Sequence, residues 1–241
     1  MKTIKINGDI ICNEIAGAYD WYKRNYDWFK ADYTCPANVQ SVLDTLEDGE
    51  DILVTINSGG GDVISGQEIY TLLKNTGANH KITVEVQSIA ASAASMIAMA
   101  GDVVKMSPVA MLMIHNASTS ASGDYREMQH TAEVLQTVNS AIMEAYSRKT
   151  GRTYDELRDM MDHETWMNAN KCIETGFADE IISDEKQRQI ITNAMIGTIS
   201  LTEDMIAKAK AAMAAEEENR RKCEEILARV DQLRFVRGVS L

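Results

Sequence analysis

Residues 51–74 constrain the fold of this chain more than any other stretch. The run DILVTIN, Asp51 to Asn57, is rich in β-branched residues, the pattern of a buried strand. Ser58-Gly59-Gly60-Gly61-Asp62 breaks it, and Val63 to Lys74 then carries Ile64, Ile69, Leu72 and Leu73 at helical positions. A strand that feeds a helix through a glycine turn is half of a crossover to a parallel neighbour. The pattern recurs downstream. Ile82 to Val86 predicts a strand and Ala90 to Ala100 a helix of small residues. Val103 to Met106 and Met111 to Ile114 read as short strands around Pro108, followed by helices over Ser122 to Lys149 and Tyr154 to Met161. Upstream, Ile4, Ile6 and Ile10-Ile11 around Gly8-Asp9 read as a strand or hairpin. Pro36 opens a helix through Val39, Val42, Leu43 and Leu46. Strands alternating with helices of this length imply an α/β fold with a largely parallel sheet.

Two segments depart from that rhythm. Residues 19–33 hold Tyr19, Trp21, Tyr22, Tyr26, Trp28, Phe29 and Tyr33, half of the chain's aromatic residues. Such a cluster serves either a satellite core or a contact with a neighbouring subunit or docked partner. After about residue 192 the composition becomes rich in Ala and charge. Residues 203–241 are electrically neutral, so the rest of the chain carries the whole net charge of −12. Cys223, Ile226, Val230 and Leu233 follow a spacing that suits a short coiled-coil seam, or a solvated and partly disordered helix. We therefore expect a main body over 1–192 and a helical tail over 193–241.

The charge balance also limits function. An acidic surface repels phosphate backbones, so nucleic acid is not the expected partner. The most apolar stretch, Ile89 to Ala100, is far short of the roughly 20 residues that span a bilayer. MKTIKINGDI has no apolar signal core. Cys12, Cys35, Cys172 and Cys223 form no CxxC pair and no zinc spacing with the histidines. The expected protein is reduced, soluble, cytoplasmic and free of a metal centre, with no membrane partner.

Three constellations carry possible chemistry. The glycines at 59–61 let backbone N–H groups face open space, where they hold a phosphate or an oxyanion, or else make an ordinary tight turn. There is no GxGxxG and no Walker lysine. Ser92 lies among alanines in SIAASAASM, where a strand gives way to a helix, which suits a nucleophile or a plain helix cap. Ser95, one turn further on, competes with it for the role. His115 ends an apolar strand in MLMIHN, as a base or a structural residue, while His80, His130 and His163 read as surface residues. Asp162 and Glu164 close a helix just before Trp166, where carboxylates usually meet solvent.

Taken together, INSGGGDVISGQEIY, SIAASAASMIAMAG, MLMIHNA and ETWMNANKCIETGFAD resemble the proteolytic subunit of Clp-type serine proteases. The resemblance runs from about residue 2 to 182 and is nearest to the phage and prophage branch that acts in head maturation. It implies a spiral of ββα units, a Clp-like catalytic domain over 1–192, Ser92 as nucleophile and His115 as general base. Gly61 and Ala93 would supply the backbone N–H donors of an oxyanion hole. Glu164 would complete the triad where cellular Clp subunits carry Asp, with Asp162 as the substitute. Gly59 stands in place of the family's proline, and Ser88 to Ser92 keeps neither the Gly nor the Gln of its GQAAS block. The implied reaction is covalent acyl transfer on protein or peptide substrates, capsid and scaffold proteins among them, with no cofactor.

The same fold also hosts crotonase-like enzymes, which stabilise a CoA thioester enolate without a serine–histidine pair, and a silent ring-forming scaffold is the third reading. The resemblance further implies a ring of six or seven subunits, single or stacked in pairs. The helix Ser122 to Lys149 would pack through Met128, Leu135, Val138 and Ile142. Whether an ATPase partner feeds it is left open.

Overall fold

The computed structural model describes residues 1–182 and 201–236, without the side chains of 223 and 225–236. The chain divides into two compact units: residues 1–14 with the chain from 31 onward, and residues 15–30 with the segment that begins beyond 198. The expected boundary at 192 and the seam side chains at 223–233 lie outside the described residues.

The first unit is an α/β body built on an eight-stranded sheet. Strand β1 (Lys2–Ile10) leads into helix α1 (Asn13–Asn25), followed by β2 (Tyr33–Thr34) and α2 (Pro36–Leu43). Then come β3 (Ile52–Gly61), α3 (Val63–Thr76), β4 (Ile82–Ala91) and the short α4 (Ala93–Ala98). The chain continues through β5 (Val103–Met106), β6 (Met111–Ile114), α5 (Tyr125–Thr150) and α6 (Tyr154–Asp162). It closes with β7 (Thr165–Asn168), α7 (Ala169–Thr175) and β8 (Glu180–Ile181). The strand order is β2-β1-β3-β4-β5-β8, all parallel, with β6 branching from β4 and β7 antiparallel to β6. One face of the central strands is fully covered: the alternate residues Ile52, Val54 and Ile56 of β3 and Ile82, Val84 and Val86 of β4 are all buried.

Three local departures shape the site. The Gly8-Asp9 pair makes no hairpin turn. Gly8, at φ 67°, places a bulge in a strand that goes on pairing, and a Cβ there would lie 1.9 Å from the Asp32 carbonyl oxygen. The glycines do not end β3 either, because Gly60 and Gly61 continue its ladder opposite Asp9 and Ile10. Ser58 steadies this irregular stretch, its hydroxyl donating to the Gly8 carbonyl (2.6 Å) and accepting from Gly60 N–H (3.1 Å). Finally, β4 runs to Ala91, so the expected helix from Ala90 shrinks to a single short one beginning after Ser92.

β4 is the hinge of the design. Its first half pairs with β5 (Thr83 to Val86 beside Val103 to Met106), and its last residues switch to β6 (Ala91 beside Met113). Helix α5 then packs against α4 and α6. It starts with a capping box, Asp124 and Glu127, and stops at left-handed Gly151.

In the second unit, α1 and the residues just after it hold the aromatic cluster except Tyr33, which lies in β2. Tyr19, Tyr22 and Phe29 are buried there, with Tyr19 and Phe29 edge to face at 5.8 Å. Helix α8 (Glu203–Val236) belongs to the same unit, and Trp21 Nε1 donates to Glu216 Oε1 at 3.2 Å. Among the described residues no helix is long and apolar enough to cross a membrane.

Candidate active site

Ser92 and His115 meet because of strand register. Ala91 pairs with Met113 in parallel β4 and β6, and Ser92 N–H donates to the Met113 carbonyl at 3.0 Å. Ser92 directly follows the end of β4 at Ala91 and His115 the end of β6 at Ile114, so the two leave the sheet close together. Their reactive atoms, Ser92 Oγ and His115 Nε2, lie 2.8 Å apart. Ser92 is at φ 54° and ψ −126°, a positive-φ corner between strand and helix. A non-glycine residue there costs on the order of 1–3 kcal/mol, and such strain persists only where the surroundings impose it. The conformation pushes the hydroxyl out of the turn, as in a nucleophile elbow, although the sequence has no GxSxG.

The glycines explain how the corner is reached. A Cβ on Gly60, at φ 99°, would lie 2.7 Å from the Ser92 Cβ and from the Ala91 carbonyl oxygen. One on Gly61, at φ 147°, would lie 2.2 Å from the Ile10 carbonyl oxygen. Gly61 and Ala93 both line a cavity of about 420 Å³ that opens at Ser92 and His115. Its other walls are largely apolar, with Ile64, Met96, Val134, Leu135 and Ile142. The expected packing stripe of α5 is thus split: Leu135, Val138 and Ile142 face this cavity, and Met128 is exposed.

The carboxylates are arranged less simply. β7 runs antiparallel to β6 with Ile114 opposite Thr165, so Glu164 stands one step beyond that pair, level with His115. Its carboxylate accepts from Trp166 Nε1 at 3.1 Å. Asp162 accepts from Asn116 Nδ2 at 2.7 Å. Among the described residues no hydrogen bond joins His115 to either acid. Asn116 and Asp162 also line a second, polar cavity of about 440 Å³ with Asn139 and Arg158.

The competitor Ser95 is fully buried, and its hydroxyl donates to the Ser92 carbonyl (2.6 Å) beside the Tyr146 hydroxyl (2.8 Å). It does not reach the cavity. His80 is half-buried on the Glu50 carbonyl, and His130 and His163 are exposed. Cys12, Cys35 and Cys172 are thiols, and burial pushes Cys172 up to about 12. Among the described residues no group of His, Cys, Asp and Glu is placed to hold a metal. Sequence reading took Gly60 only as part of the glycine run at 59–61, and it missed Trp166, Asn116 and Tyr146. Only Gly60 had a local signal, its glycine run.

Comparison with known proteins places these features in context. A family model described as Clp protease matches residues 32–185. The ATP-dependent Clp protease proteolytic subunit of Pleurastrum terricola is 31% identical over 147 residues, 59% of this chain and 73% of that one. That of Bacteroides fragilis is 30% identical over 142 residues, 58% and 68% of the two chains. The solved structure of a ClpP1 mutant from Listeria monocytogenes superposes with a TM-score of 0.59 at 21% identity, covering 77% of this chain and 94% of that one.

Proposed function

The chain belongs to the Clp protease family, a family of serine peptidases, and from that premise we propose that it cleaves peptide bonds with Ser92 as nucleophile and His115 as general base. The observation that carries this is the 2.8 Å approach of His115 Nε2 to Ser92 Oγ at the mouth of the cavity. His115 takes the hydroxyl proton as Oγ attacks the substrate carbonyl, and later hands it to the leaving amine. The negative charge that develops on the carbonyl oxygen is met by the N–H groups of Gly61 and Ala93. Glu164 is the acid that steadies the imidazolium, since the register sets it level with His115. The apolar walls hold a substrate side chain next to the scissile bond.

Two finer readings rest on the four sequence blocks. The substrates are capsid and scaffold proteins of a phage or prophage, processed during head maturation in the cytoplasm. The working particle is a ring of six or seven subunits, for which the exposed Tyr125, Met128 and Val134 on α5 offer an apolar contact. A CoA thioester enzyme would have no use for the serine–histidine contact.

A fluorophosphonate probe tests the chemistry: it should label Ser92 in wild type and leave Ser92→Ala untouched. Absence of labelling overturns the protease reading. Incubation with capsid and scaffold proteins, followed by mass spectrometry of fragments, tests the substrate. A sedimentation boundary at the 26.7 kDa monomer alone would refute the ring.

A further inference from the structure

Beneath the nucleophile lies a buried hydroxyl pair that acyl transfer itself does not use. Ser95 is 0% exposed and Tyr146 1%. Ser95 Oγ is 2.6 Å from the Ser92 carbonyl oxygen and 2.8 Å from the Tyr146 hydroxyl. A carbonyl only accepts, so the single Ser95 proton goes to Ser92, and Tyr146 must donate to Ser95. Burial pushes the Tyr146 phenol well above its ordinary value, with the Ser95 bond acting more weakly the other way, so that donor proton stays in place. The relay therefore runs in one direction, from α5 to the corner that carries the nucleophile.

Its target is one peptide unit. The Ser92 carbonyl and the Ala93 N–H share a rigid plane, and in a trans peptide they point opposite ways. Drawing the carbonyl into the core turns the N–H outward, on the side where Ala93 lines the cavity. Ala93 is the first residue of α4, so its N–H has no acceptor within the helix. The ψ of Ser92, −126°, sets this plane, and turning the plane over would move Ser92 toward the left-handed well at its existing φ of 54°. Two backbone donors also reach the Ser92 carbonyl, Ser95 N–H at 3.0 Å and Met96 N–H at 3.4 Å. The Ser95 hydroxyl makes the shortest of the three bonds and alone ties the carbonyl to α5.

We propose that Ser95 and Tyr146 are positioning residues that hold the 92–93 peptide so that Ala93 N–H faces the reacting carbonyl. This rests on the reading of Ser92 as nucleophile. Ser95 stays off the cavity and Tyr146 lines it while only 1% exposed; neither carries the proton in flight, and their effect appears when oxyanion charge develops.

The test uses full-length Ser95→Ala, Tyr146→Phe and the double variant, with Ser92→Ala as the blank. Three quantities are read: kcat and KM on a fluorogenic peptide with an apolar residue before the scissile bond, affinity for a peptide aldehyde, and melting temperature. The aldehyde forms a hemiacetal with the serine and places its oxygen in the oxyanion hole. Losing an oxyanion donor outright costs about 100- to 1,000-fold, so misorienting one should lower kcat roughly ten-fold in Ser95→Ala, with KM little changed. Aldehyde affinity should fall by the same factor, and Tyr146→Phe should give a smaller loss. Ser95→Ala also strands the Tyr146 hydroxyl and lowers the melting temperature, which the double variant restores by removing the stranded group. In the double variant kcat should stay low. Recovery of kcat along with the melting temperature would show a purely structural pair and overturn the inference, as would unchanged kcat and aldehyde affinity in Ser95→Ala beside an active wild type. A wild type that is neither labelled at Ser92 nor active overturns the protease reading and this inference together.

Discussion

Ser92 and Glu164 are the described non-glycine residues with positive φ, at 54° and 47°. The corner at Ser92 serves to expose a hydroxyl. Glu164 follows the end of α6, a position where glycine ordinarily satisfies the left-handed backbone at no steric cost. Glycine would supply no carboxylate, and this one stands level with His115 while the Trp166 indole steadies it. Asp162 is engaged by Asn116 instead. Glu164→Gln is therefore expected to lower kcat by roughly ten-fold or more, whereas Asp162→Asn should change it less than about three-fold. Glu164→Gly sharpens the distinction. It should raise the melting temperature slightly by relieving the backbone, and still lower kcat. Equal rates in all three variants would remove Glu164 from the mechanism.

At the scale of elements, α5 matters most, because it forms a wall of the cavity and, through Tyr146, bonds the Ser95 hydroxyl that holds the Ser92 carbonyl. Lys149 anchors its C-terminal end. Its ammonium donates to Asp179 Oδ2 (2.7 Å) and to the carbonyls of Asp102 (3.2 Å) and Gly101 (3.4 Å), with the side chain only 11% exposed. Lys171 and Glu174 form a comparable pair at 3.1 Å that is more than half exposed. Lys149→Met should therefore cost roughly 1–3 kcal/mol in a denaturant titration, for it leaves Asp179 and two carbonyls short of a donor. Lys171→Met should stay within about 0.5 kcal/mol. The reverse ranking would refute the anchor. The elements themselves were legible where periodicity was strong, as in α2, α3, α5, α6 and the central strands. Helix α1 had a readable stripe at Ile15, Ala18, Tyr19 and Tyr22, hidden by the weight of its aromatics. β7, α7 and β8 are too short for periodicity to declare them. The nearness of Ser92 to His115 was not readable from local pattern at all, since it depends on β4 changing partners from β5 to β6. The Ser95–Tyr146 contact spans 51 residues and is invisible for the same reason.

For the whole molecule, the tail and the aromatic segment are one problem rather than two. Composition set residues 193–241 apart as an appendage, yet α8 shares a compact unit with residues 15–30. There Leu201 N–H donates to the Tyr19 hydroxyl at 3.5 Å, Trp21 bonds Glu216, and a Cβ on Gly17 would lie 3.1 Å from Met213 Cε. Aromatic surface on α1 is thus covered by α8, while Trp28 and Tyr26 remain 56% and 40% exposed. Ser92, His115 and the cavity lie wholly in the other unit. Deleting residues 201–241 should therefore leave Ser92 open to the fluorophosphonate probe. It should also expose Tyr19, Trp21 and Tyr22 to water, an apolar patch of the kind that drives association. The expected protein labels at the wild-type rate but binds more of a hydrophobic dye and sediments as larger, heterogeneous species. Restoring only residues 201–222 should reverse the dye binding, because the partners of Tyr19, Trp21 and Gly17 all lie within that stretch. If the truncated chain is labelled, stays monodisperse and binds no extra dye, the tail does not serve as the cover of α1. If labelling is lost, the catalytic unit depends on the tail for its fold, and the division into two units does not extend to stability.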